Sequence, residues 1–351
     1  MNHRASIIAS LSFIFIFNPF GGFSQEKPKK FEVACIGFYN VENLYDTEND
    51  TLVNDEEFLP EGGNRWTDKL YREKLQHMSQ VISQIGTDAS PDGAIVLGMA
   101  EIENRKVVED LIAQPLLKGR NYGIVHYDGP DRRGVDVGLI YRKDFFTVES
   151  SRSIRLVNPS DTSFRTRDQL LVSGSLRGER VHFMVAHWPS RRGGEKASSP
   201  LRMLAAQTGR KVIDSILAVE PNARIIYMGD LNDDPINKSL TEGLRAKGNR
   251  NKLQAGDMFN TMYAFYKDGI GTLAYRDAWN LFDQLVITQP FLNGNDGGFQ
   301  FNRSRIFNKP FIRKQDGNFD GYPWRTFVGG KYDGGFSDHF PVYLVLMREI
   351  K

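Results

Sequence analysis

Polar side chains that can hold metal ions or move protons stand beside the ends of five predicted strands. They are Asn40, Glu101, His187, Asp230 with Asn232, and the pair Asp338 and His339. A single asparagine or aspartate at such a place is usually a turn or helix-cap residue. Several polar residues at equivalent positions are not readily explained by turns and caps alone. Open α/β sheets build their sites at the carboxyl ends of strands. The pattern therefore predicts one site that combines carboxylate ligands with imidazole groups.

The elements that must position these side chains follow from the hydrophobic periodicity. Short β-rich runs alternate with stretches whose apolar residues recur at helical spacing, which predicts an α/β fold with mixed sheets. The predicted strands are Phe31–Val41, Gly93–Met99, Val135–Tyr141, Gln169–Leu176, Val181–His187, Arg224–Met228, Gln284–Thr288 and Pro341–Leu346. The predicted helices are Leu70–Ile85 and Leu201–Leu217, the second starting at Ser198, Ser199 and Pro200.

The composition is that of a folded globular protein and excludes two other classes. Among 351 residues, Lys and Arg number 45 against 43 Asp and Glu, for a net charge of +2, and 40% are hydrophobic. This balance excludes a disordered chain and a protein that binds nucleic acid by overall positive charge alone. The single cysteine, Cys35, excludes an intrachain disulfide and is expected to be a buried thiol.

Residues 1–24 have the layout of a secretory signal peptide. A short basic start precedes an apolar stretch at residues 7–17, and Gly22 and Ser24 form a small-x-small cleavage pattern before Gln25. The apolar stretch is shorter than a membrane span requires. We therefore expect cleavage between Ser24 and Gln25 and a secreted or periplasmic protein with no stable membrane insertion. An uncleaved membrane anchor is the alternative.

Two long polar segments interrupt the predicted elements. Residues 46–67 are acidic and polar, and residues 290–335 are rich in glycine, asparagine and aromatic residues. Loops of this length either shape a binding site or lack fixed structure. Because no linker divides the chain, we expect residues 25–351 to form one monomeric domain that carries both segments as insertions.

Six motifs, in their order along the chain, resemble those of the endonuclease/exonuclease/phosphatase superfamily, the fold of pancreatic deoxyribonuclease. The motifs are FYNVEN at 38–43, MAEIEN at 99–104, RGVDVGL at 133–139, VAHWPS at 185–190, MGDLN at 228–232 and SDHFPV at 337–342. The resemblance runs from about Phe31 to Leu346. It implies an α/β (α+β) fold, built as a four-layer sandwich of two mixed β-sheets flanked by helices. It also implies an enzyme that hydrolyses phosphoester bonds.

The resemblance assigns the metal site. Glu101, Asn40 and Asp338 match the positions that bind a divalent cation, which would be Mg²⁺, with Mn²⁺ or Ca²⁺ as alternatives. Oxygen ligands of this kind suit hard cations. The family often has glutamine directly before the metal-binding glutamate, whereas this chain has Ala100. A hydrogen bond that supports the metal ligand is therefore absent or replaced.

The resemblance also assigns proton transfer. His339 would be the general base or a positively charged partner for the phosphate, depending on its pKa. A carboxylate must fix the tautomer of this imidazole, and the family supplies it from an aspartate that leads into a strand rich in branched residues. Asp283 matches that aspartate better than its rival Asp277, because such a strand follows it. Asp230 would orient or deprotonate the attacking water. Asn232 would donate its amide to a phosphate oxygen.

Further residues are predicted to contact the substrate. His187 matches a second histidine that binds the phosphate or protonates the leaving oxygen. Arg133, Arg191 and Arg192 lie in loops expected to face the site, and the guanidinium fork fits phosphate. Asp136 stands near the place where some members carry a tyrosine that touches the phosphate, and it could reach the metal or pair with Arg133.

Two substrate classes fit the resemblance. A nuclease that cleaves phosphodiester bonds in DNA or RNA comes first, because arginine-rich loops surround the expected site of a near-neutral chain. The alternative is a phosphatase or sphingomyelinase-like enzyme acting on a small phosphorylated molecule or a lipid head group. A nuclease needs an open groove, whereas residues 290–335 folded over the site would favour a small ligand. A non-catalytic binding module is disfavoured because every predicted metal and proton-transfer residue is present.

Overall fold

Two β-sheets packed face to face, with helices on both outer sides, make up the described part of the chain. The structure is a computed structural model that describes residues 29–293 and 297–350. The α/β sandwich predicted from the sequence is confirmed. The predicted signal peptide lies outside the described residues. Within them, no helix combines the length and the apolar character needed to cross a bilayer.

Four helices and seventeen strands follow one another along the described chain. The helices are α1 (Asp68–Ile82), α2 (Arg105–Ile112), α3 (Glu195–Val219) and α4 (Tyr263–Lys267). The strands are β1 (Lys30–Leu44), β2 (Ala94–Ile102), β3 (Tyr122–His126), β4 (Asp136–Arg142), β5 (Phe146–Ile154), β6 (Gln169–Leu176), β7 (Glu179–His187), β8 (Arg224–Asp230), β9 (Ala246–Lys247), β10 (Met258–Asn260), β11 (Leu273–Tyr275), β12 (Ala278–Asn280), β13 (Asp283–Thr288), β14 (Gln300–Ile306), β15 (Phe327–Val328), β16 (Lys331–Tyr332) and β17 (Val342–Ile350).

Both large sheets mix parallel and antiparallel pairs. The first sheet has the strand order β14–β17–β1–β2–β4–β3, and the second has the order β5–β6–β7–β8–β13–β10–β9. In the first sheet β1 is parallel to β2 and antiparallel to β17. In the second sheet β8 is parallel to β7 and antiparallel to β13. The pairs β11–β12 and β15–β16 form two separate small hairpins.

Three apolar clusters alternate with the two sheets and hold the layers together. The first cluster lies between the first sheet and helices α1 and α2, the second lies between the sheets, and the third lies between the second sheet and α3. The sheets approach closely at Gly98 of β2, where a Cβ atom would lie only 2.7 Å from Sδ of Met228 on β8. Cys35 is fully buried, as predicted, and burial raises its pKa to about 12.

The start of helix α3 differs from the prediction. The helix begins at Glu195, directly after Gly194 with its φ of 108°, so Pro200 lies inside it. Proline has no amide hydrogen to donate to the preceding turn. Arg202, which is fully buried, supports this turn by donating to Oγ of Ser198 at 2.7 Å and to the carbonyl of Glu195 at 3.0 Å. Arg202 Nε also lies 2.6 Å from Oδ1 of Asp233 in the loop after β8, so a residue outside the helix helps to hold this earlier start.

Both predicted insertions contain fixed structure in the described residues. In residues 46–67, the fully buried Trp66 donates from Nε1 to the carbonyl of Tyr45 at 3.0 Å, and Phe58 stacks on the Tyr45 ring. Residues 290–335 include the strand β14, which the sequence analysis missed. Strand β14 pairs only with β17 at the sheet edge, so polar residues are tolerated and the apolar alternation is weak.

Candidate active site

Three of the predicted residues form a row across the second sheet, where β7 and β8 end and β13 begins. His187 is in register with Asp230, and Asp230 is in register with Asp283. Residues in register on neighbouring strands point to the same face, so strand pairing alone brings these side chains together. All three are buried. The row thus places one imidazole beside two carboxylates.

The first sheet contributes Asn40 from β1 and Glu101 from β2. Asn40 Nδ2 donates to Oδ2 of Asp230 at 3.1 Å, which joins the two sheets. Glu101 has a left-handed φ of 63° at a register shift between β2 and β4, and its Oε2 accepts the backbone N–H of Asn43 at 3.0 Å. Left-handed backbone is costly for a residue other than glycine and is concentrated at functional sites.

His339 lies in the loop before β17 and is held by Asp283. The distance from His339 Nδ1 to Asp283 Oδ2 is 2.7 Å, whereas the rival Asp277 accepts from the Tyr322 hydroxyl at 2.6 Å. Burial lowers the pKa of His339, but Asp283 and Asp230 outweigh that effect and raise the pKa well above its ordinary value. The imidazole is therefore cationic at neutral pH.

Asp230 stands at the centre of the site. Its Oδ2 lies 3.5 Å from Nε2 of His187 and 3.8 Å from Nε2 of His339. Oε1 of Glu101 is 3.9 Å from the same nitrogen of His187, so short contacts lead from Glu101 to His339. Burial, together with the charges of Asp283 and Glu101, raises the pKa of Asp230 to about 7. A carboxylate that titrates near neutral pH can accept a proton from water.

A second acidic centre lies beside His339. Asp338 Oδ1 is 3.9 Å from His339 Nε2, and Asp338 Oδ2 accepts from Arg325 Nη2 at 2.6 Å. Glu42 accepts the backbone N–H of Thr326 at 2.7 Å. Burial and the charge of Asp338 raise the pKa of Glu42 to about 7. The two carboxylates are therefore close enough to oppose each other's ionisation.

A buried lysine balances this acidic centre. Lys74 of α1 is 1% exposed, and its Nζ donates to the Thr326 hydroxyl at 2.7 Å and to the Phe336 carbonyl at 2.5 Å. Burial lowers the pKa of Lys74 to about 8, against the charges of Glu42 and Asp338. Its two hydrogen bonds tie the segment before β17 to helix α1.

His187 has an electropositive environment. Burial lowers its pKa well below the ordinary value, and the charges of Arg167, Arg133 and His339 lower it further. Its Nδ1 is buried without a hydrogen-bond partner among the described residues. The imidazole is therefore neutral at physiological pH, so it can donate one hydrogen bond and accept another but adds no charge to the site.

The predicted substrate arginines occupy different environments. Arg133 is half-buried beside Glu101, whose charge helps to raise the pKa of Arg133 against the opposing effect of burial. Arg191 donates to the carbonyl of Asn232 at 2.9 Å and to Asp234 at 3.1 Å. Its guanidinium therefore stabilises the loop after β8. Arg192 is exposed to solvent.

The two remaining predicted residues are already engaged by this chain's own groups. Asn232 donates from Nδ2 to the Trp188 carbonyl at 3.0 Å, so part of the amide expected to bind phosphate is used within the site. Asp136 accepts the backbone N–H of Gly129 at 3.1 Å and lies 3.4 Å from Nε2 of His126. Its observed partners thus belong to a group different from the Glu101 site.

A family profile decides the classification. The Endonuclease/Exonuclease/phosphatase family matches residues 35–348. The chain belongs to this family. The predicted enzyme class, a phosphoester hydrolase, is thereby confirmed at the level of the family. None of the curated proteins matches the chain.

Solved structures share the fold of the family at low sequence identity. An endonuclease/exonuclease/phosphatase family protein from Bacteroides thetaiotaomicron is 14% identical, with a TM-score of 0.56 over 92% of this chain and 100% of its own. TDP2 from D. rerio, complexed with a single-strand DNA product, is 16% identical, with a TM-score of 0.53 over 90% and 98%. A mannosyl-6-phosphatase from B. thetaiotaomicron is 15% identical, with a TM-score of 0.53 over 89% and 99%.

The donor set at this family's site fits a hard divalent cation. Glu101, Asp338 and Asn40, with Glu42 added by the structure, carry carboxylate and amide oxygens; Asn40 Oδ1 accepts the backbone N–H of Glu42 at 3.0 Å, and Arg325 holds one oxygen of Asp338. The pKa of Glu42 and that of Asp230 are both raised to about 7, by burial first and then by neighbouring carboxylates. Buried carboxylates that repel one another are stabilised when a cation lies among them. Oxygen ligands of this type suit Mg²⁺ or Mn²⁺.

Three functional candidates escaped the sequence analysis. Glu42 belongs to the FYNVEN motif but was given no role, and its left-handed φ of 51° has no sequence signal. Lys74 stands on the apolar face of α1 between Tyr71 and Leu75, and a lysine in an apolar stripe is a usable signal. Arg325 lies in the polar segment 290–335, where no periodicity marked it.

The metal-free protein is expected to lose stability as the pH rises from about 5 to about 8. Glu42 and Asp230 ionise near pH 7 in the folded chain but at 4.5 and 3.8 otherwise, so the folded state holds more protons in between. His339, with its raised pKa, extends the loss above pH 6.5, whereas His187 opposes it below. Thermal unfolding should show a fall of several degrees, and Mg²⁺ should raise Tm more at the higher pH. An unchanged slope with Mg²⁺ would exclude these carboxylates from cation binding.

Proposed function

We propose that this chain is a divalent-metal-dependent phosphoesterase whose active site lies where the two sheets meet. The observation that carries the proposal is the run of short contacts from Glu101 through His187 and Asp230 to His339. These contacts support the proposal because they connect a metal-ligand candidate, a carboxylate with a pKa of about 7 and a cationic imidazole through distances of 3.5 to 3.9 Å. Phosphoester hydrolysis needs these three functions together.

The cation would be held by Glu101, Asp338 and Asn40, with Glu42 as a further oxygen ligand. When bound, a divalent cation neutralises charge on the phosphoryl oxygens and fixes the position of the phosphate. Arg325 already holds one oxygen of Asp338, which leaves the other to face His339.

The chain's own residues can account for the proton movements. Asp230 is held by the amide of Asn40 and by the backbone N–H of Asn232, and it would take a proton from the attacking water. The water oxygen bonds to phosphorus, the ester P–O bond breaks, the leaving oxygen takes up a proton from solvent, and Asp230 releases its proton to solvent before the next turnover. His339 is cationic and buried, so it would stabilise the negative charge that develops on the phosphoryl oxygens. The neutral His187 would add a hydrogen bond.

The substrate class that the geometry favours is a small phosphorylated molecule. Segment 314–333 lines one side of a cavity of about 490 Å³ that extends to Asp338. A bounded cavity of this size is typical of small-molecule sites. Nucleic acid is the second candidate, because the exposed guanidinium groups of Arg132, Arg165 and Arg192 fit a phosphate backbone.

Chelation is expected to abolish hydrolysis. The purified protein should hydrolyse bis-p-nitrophenyl phosphate with Mg²⁺ or Mn²⁺, lose the activity in EDTA and regain it when the cation is restored. A panel of duplex DNA, single-stranded DNA, RNA, inositol phosphates and sphingomyelin, run with and without the cation, then ranks the substrates. Full activity in EDTA would contradict the proposed metal dependence.

Export is part of the proposal and rests on the leader at residues 1–24. Removal of the leader would deliver the enzyme to the periplasm or the medium, where phosphate esters can be scavenged without entering the cell. N-terminal sequencing of the protein recovered outside the cytoplasm should begin at Gln25. Recovery of the full-length chain in the membrane fraction would instead support the uncleaved anchor.

A further inference from the structure

The cavity beside the site, named here the aromatic pocket, is built by two segments on either side of Asp338. One wall is the β11–β12 hairpin, which contributes Tyr275 and Arg276, and the other is segment 314–333, which contributes Phe319, Tyr322 and Trp324. Asp338, a predicted metal ligand, lies on its lining together with Arg325. A group esterified to a phosphate at the metal site would therefore reach this pocket directly.

The walls of the aromatic pocket are joined to each other and to the catalytic loop. The Tyr322 hydroxyl donates to Asp277 at 2.6 Å, which ties segment 314–333 to the hairpin. Trp279 of the hairpin lies 5.4 Å from the Tyr322 ring and stacks at 6.2 Å on Phe340, the residue after His339. The pocket is thus formed in advance and is in fixed relation to the imidazole.

Exposed aromatic surface is concentrated at the aromatic pocket. Tyr275 and Phe319, which line the pocket, are 63% and 49% exposed, and Trp279 of the adjoining hairpin is 39% exposed. The other exposed large hydrophobic side chains of the described chain are aliphatic, except for Phe31 and Tyr127. Apolar surface gathered in one place marks a binding site more often than scattered residues do.

The charged groups of the aromatic pocket are largely engaged with one another. Lys314 Nζ lies 2.9 Å from Oδ2 of Asp333, and Trp324 Nε1 donates to the same oxygen at 2.8 Å. Arg325 is paired with Asp338. Arg276 is exposed, and its guanidinium lies over the Tyr275 ring, 5.2 Å from the ring centroid. A polyhydroxylated sugar needs many hydrogen-bond partners, whereas a planar ring needs exposed aromatic surface, which Phe319 and Tyr275 supply.

We infer that the aromatic pocket binds an aromatic ring carried by the substrate on the far side of the scissile ester. The ring would be a nucleobase or another aryl group, stacked on Phe319 and Tyr275. This inference rests on the proposed phosphoesterase function and specifies its substrate class. Stacking on aromatic side chains is tolerant of ring identity, so the pocket would select rings as a class.

Binding measured by calorimetry in the presence of Ca²⁺ tests the inference without requiring turnover. The probes are adenosine 5′-monophosphate and phenyl phosphate, which carry rings, and ribose 5-phosphate and inorganic phosphate, which do not. We expect the ring-bearing probes to bind about tenfold more tightly, and we expect the Y275A/F319A variant to lose that preference. Phenyl phosphate and adenosine 5′-monophosphate distinguish a general aryl pocket from a nucleobase pocket.

The variant F31A is the matched control, because Phe31 is 47% exposed at the start of β1 and does not line the pocket. This variant should keep the preference for ring-bearing probes.

Tryptophan fluorescence gives a second readout, since Trp324 lines the pocket and a stacked ring should quench its fluorescence in the native chain. Tighter binding of ribose 5-phosphate, or a preference unchanged in Y275A/F319A, would overturn the inference. If the inference is overturned but the native chain still shows EDTA-sensitive hydrolysis, the proposed phosphoesterase function stands. If the native chain shows no hydrolysis at all, the proposed function itself is wrong, whatever the binding results.

Discussion

Replacing His339 by glutamine is expected to lower kcat/KM for a phosphodiester by about a thousandfold, the range for loss of a charged group in direct contact with the phosphoryl oxygens. His339 is the buried cation of the site, held by Asp283 at 2.7 Å and placed 3.8 Å from Asp230. Glutamine keeps hydrogen-bonding capacity but carries no charge. Steady-state kinetics on bis-p-nitrophenyl phosphate, with thermal unfolding to verify the fold, measure the effect.

The control for this variant is His182→Gln. His182 is also buried and lies on β7, but at the opposite end from His187, with its Nδ1 2.7 Å from the Ser173 hydroxyl. Its replacement should leave kcat/KM within about twofold, since substitutions at distant sites that share no partners usually act independently. Asp230→Asn should match the loss at His339, and the double variant should add little to either because the residues act as a unit. Full activity of His339→Gln would remove the imidazole from the mechanism.

Replacing Glu101 by glutamine is expected to weaken Mg²⁺ activation at least tenfold and to lower kcat/KM further. Loss of an indirect partner of a metal ligand already costs about 10–100-fold in metal affinity, and Glu101 is placed as a direct ligand. The measurement is the Mg²⁺ concentration that gives half-maximal rate. Unchanged activation would show that the cation binds without Glu101.

Glu103→Gln is the control for Glu101, because it makes the same change two residues further along the chain. Glu103 is buried and accepts the backbone N–H of Asp46 at 2.7 Å, a bond that a glutamine oxygen can also accept. Burial raises the pKa of Glu103 to about 8, so its carboxyl group is largely protonated at neutral pH. The change therefore removes little charge and should leave Mg²⁺ activation intact.

The layered fold could be predicted because its periodicity is strong. The strand Gln169–Leu176 consists of a nearly continuous run of buried residues, and the helix Asp68–Ile82 carries a buried apolar stripe, so the local sequence is enough to predict both. Strand Gln300–Ile306 could not be predicted, because an edge strand is stabilised by pairing with Val342–Ile350, far along the chain. The early start of the helix at Glu195 likewise depends on the contact of Arg202 with Asp233, a residue beyond the helix.

The candidate site could be predicted in its residue types but only partly in its electrostatics. The i, i+2 spacing of Asp230 and Asn232 and the terminal motif with His339 identified the region. Which aspartate holds His339 became certain only when register placed Asp283 opposite Asp230. Glu42 could not be identified from local sequence, because its pKa depends on burial and on Asp338, which lies nearly three hundred residues further along the chain.

Because the two sheets approach closely at Gly98, the rate of hydrolysis should depend on how tightly they pack there. The carboxylate of Glu101 belongs to one layer and Asp230 to the other, so their spacing is set by how near the layers can settle. A methyl group at position 98 would collide with the side chain of Met228, which would have to shift for the two sheets to keep their spacing. On warming, such a variant would then lose activity as the contact between the two sheets loosens, at a temperature where its strands and helices are still folded.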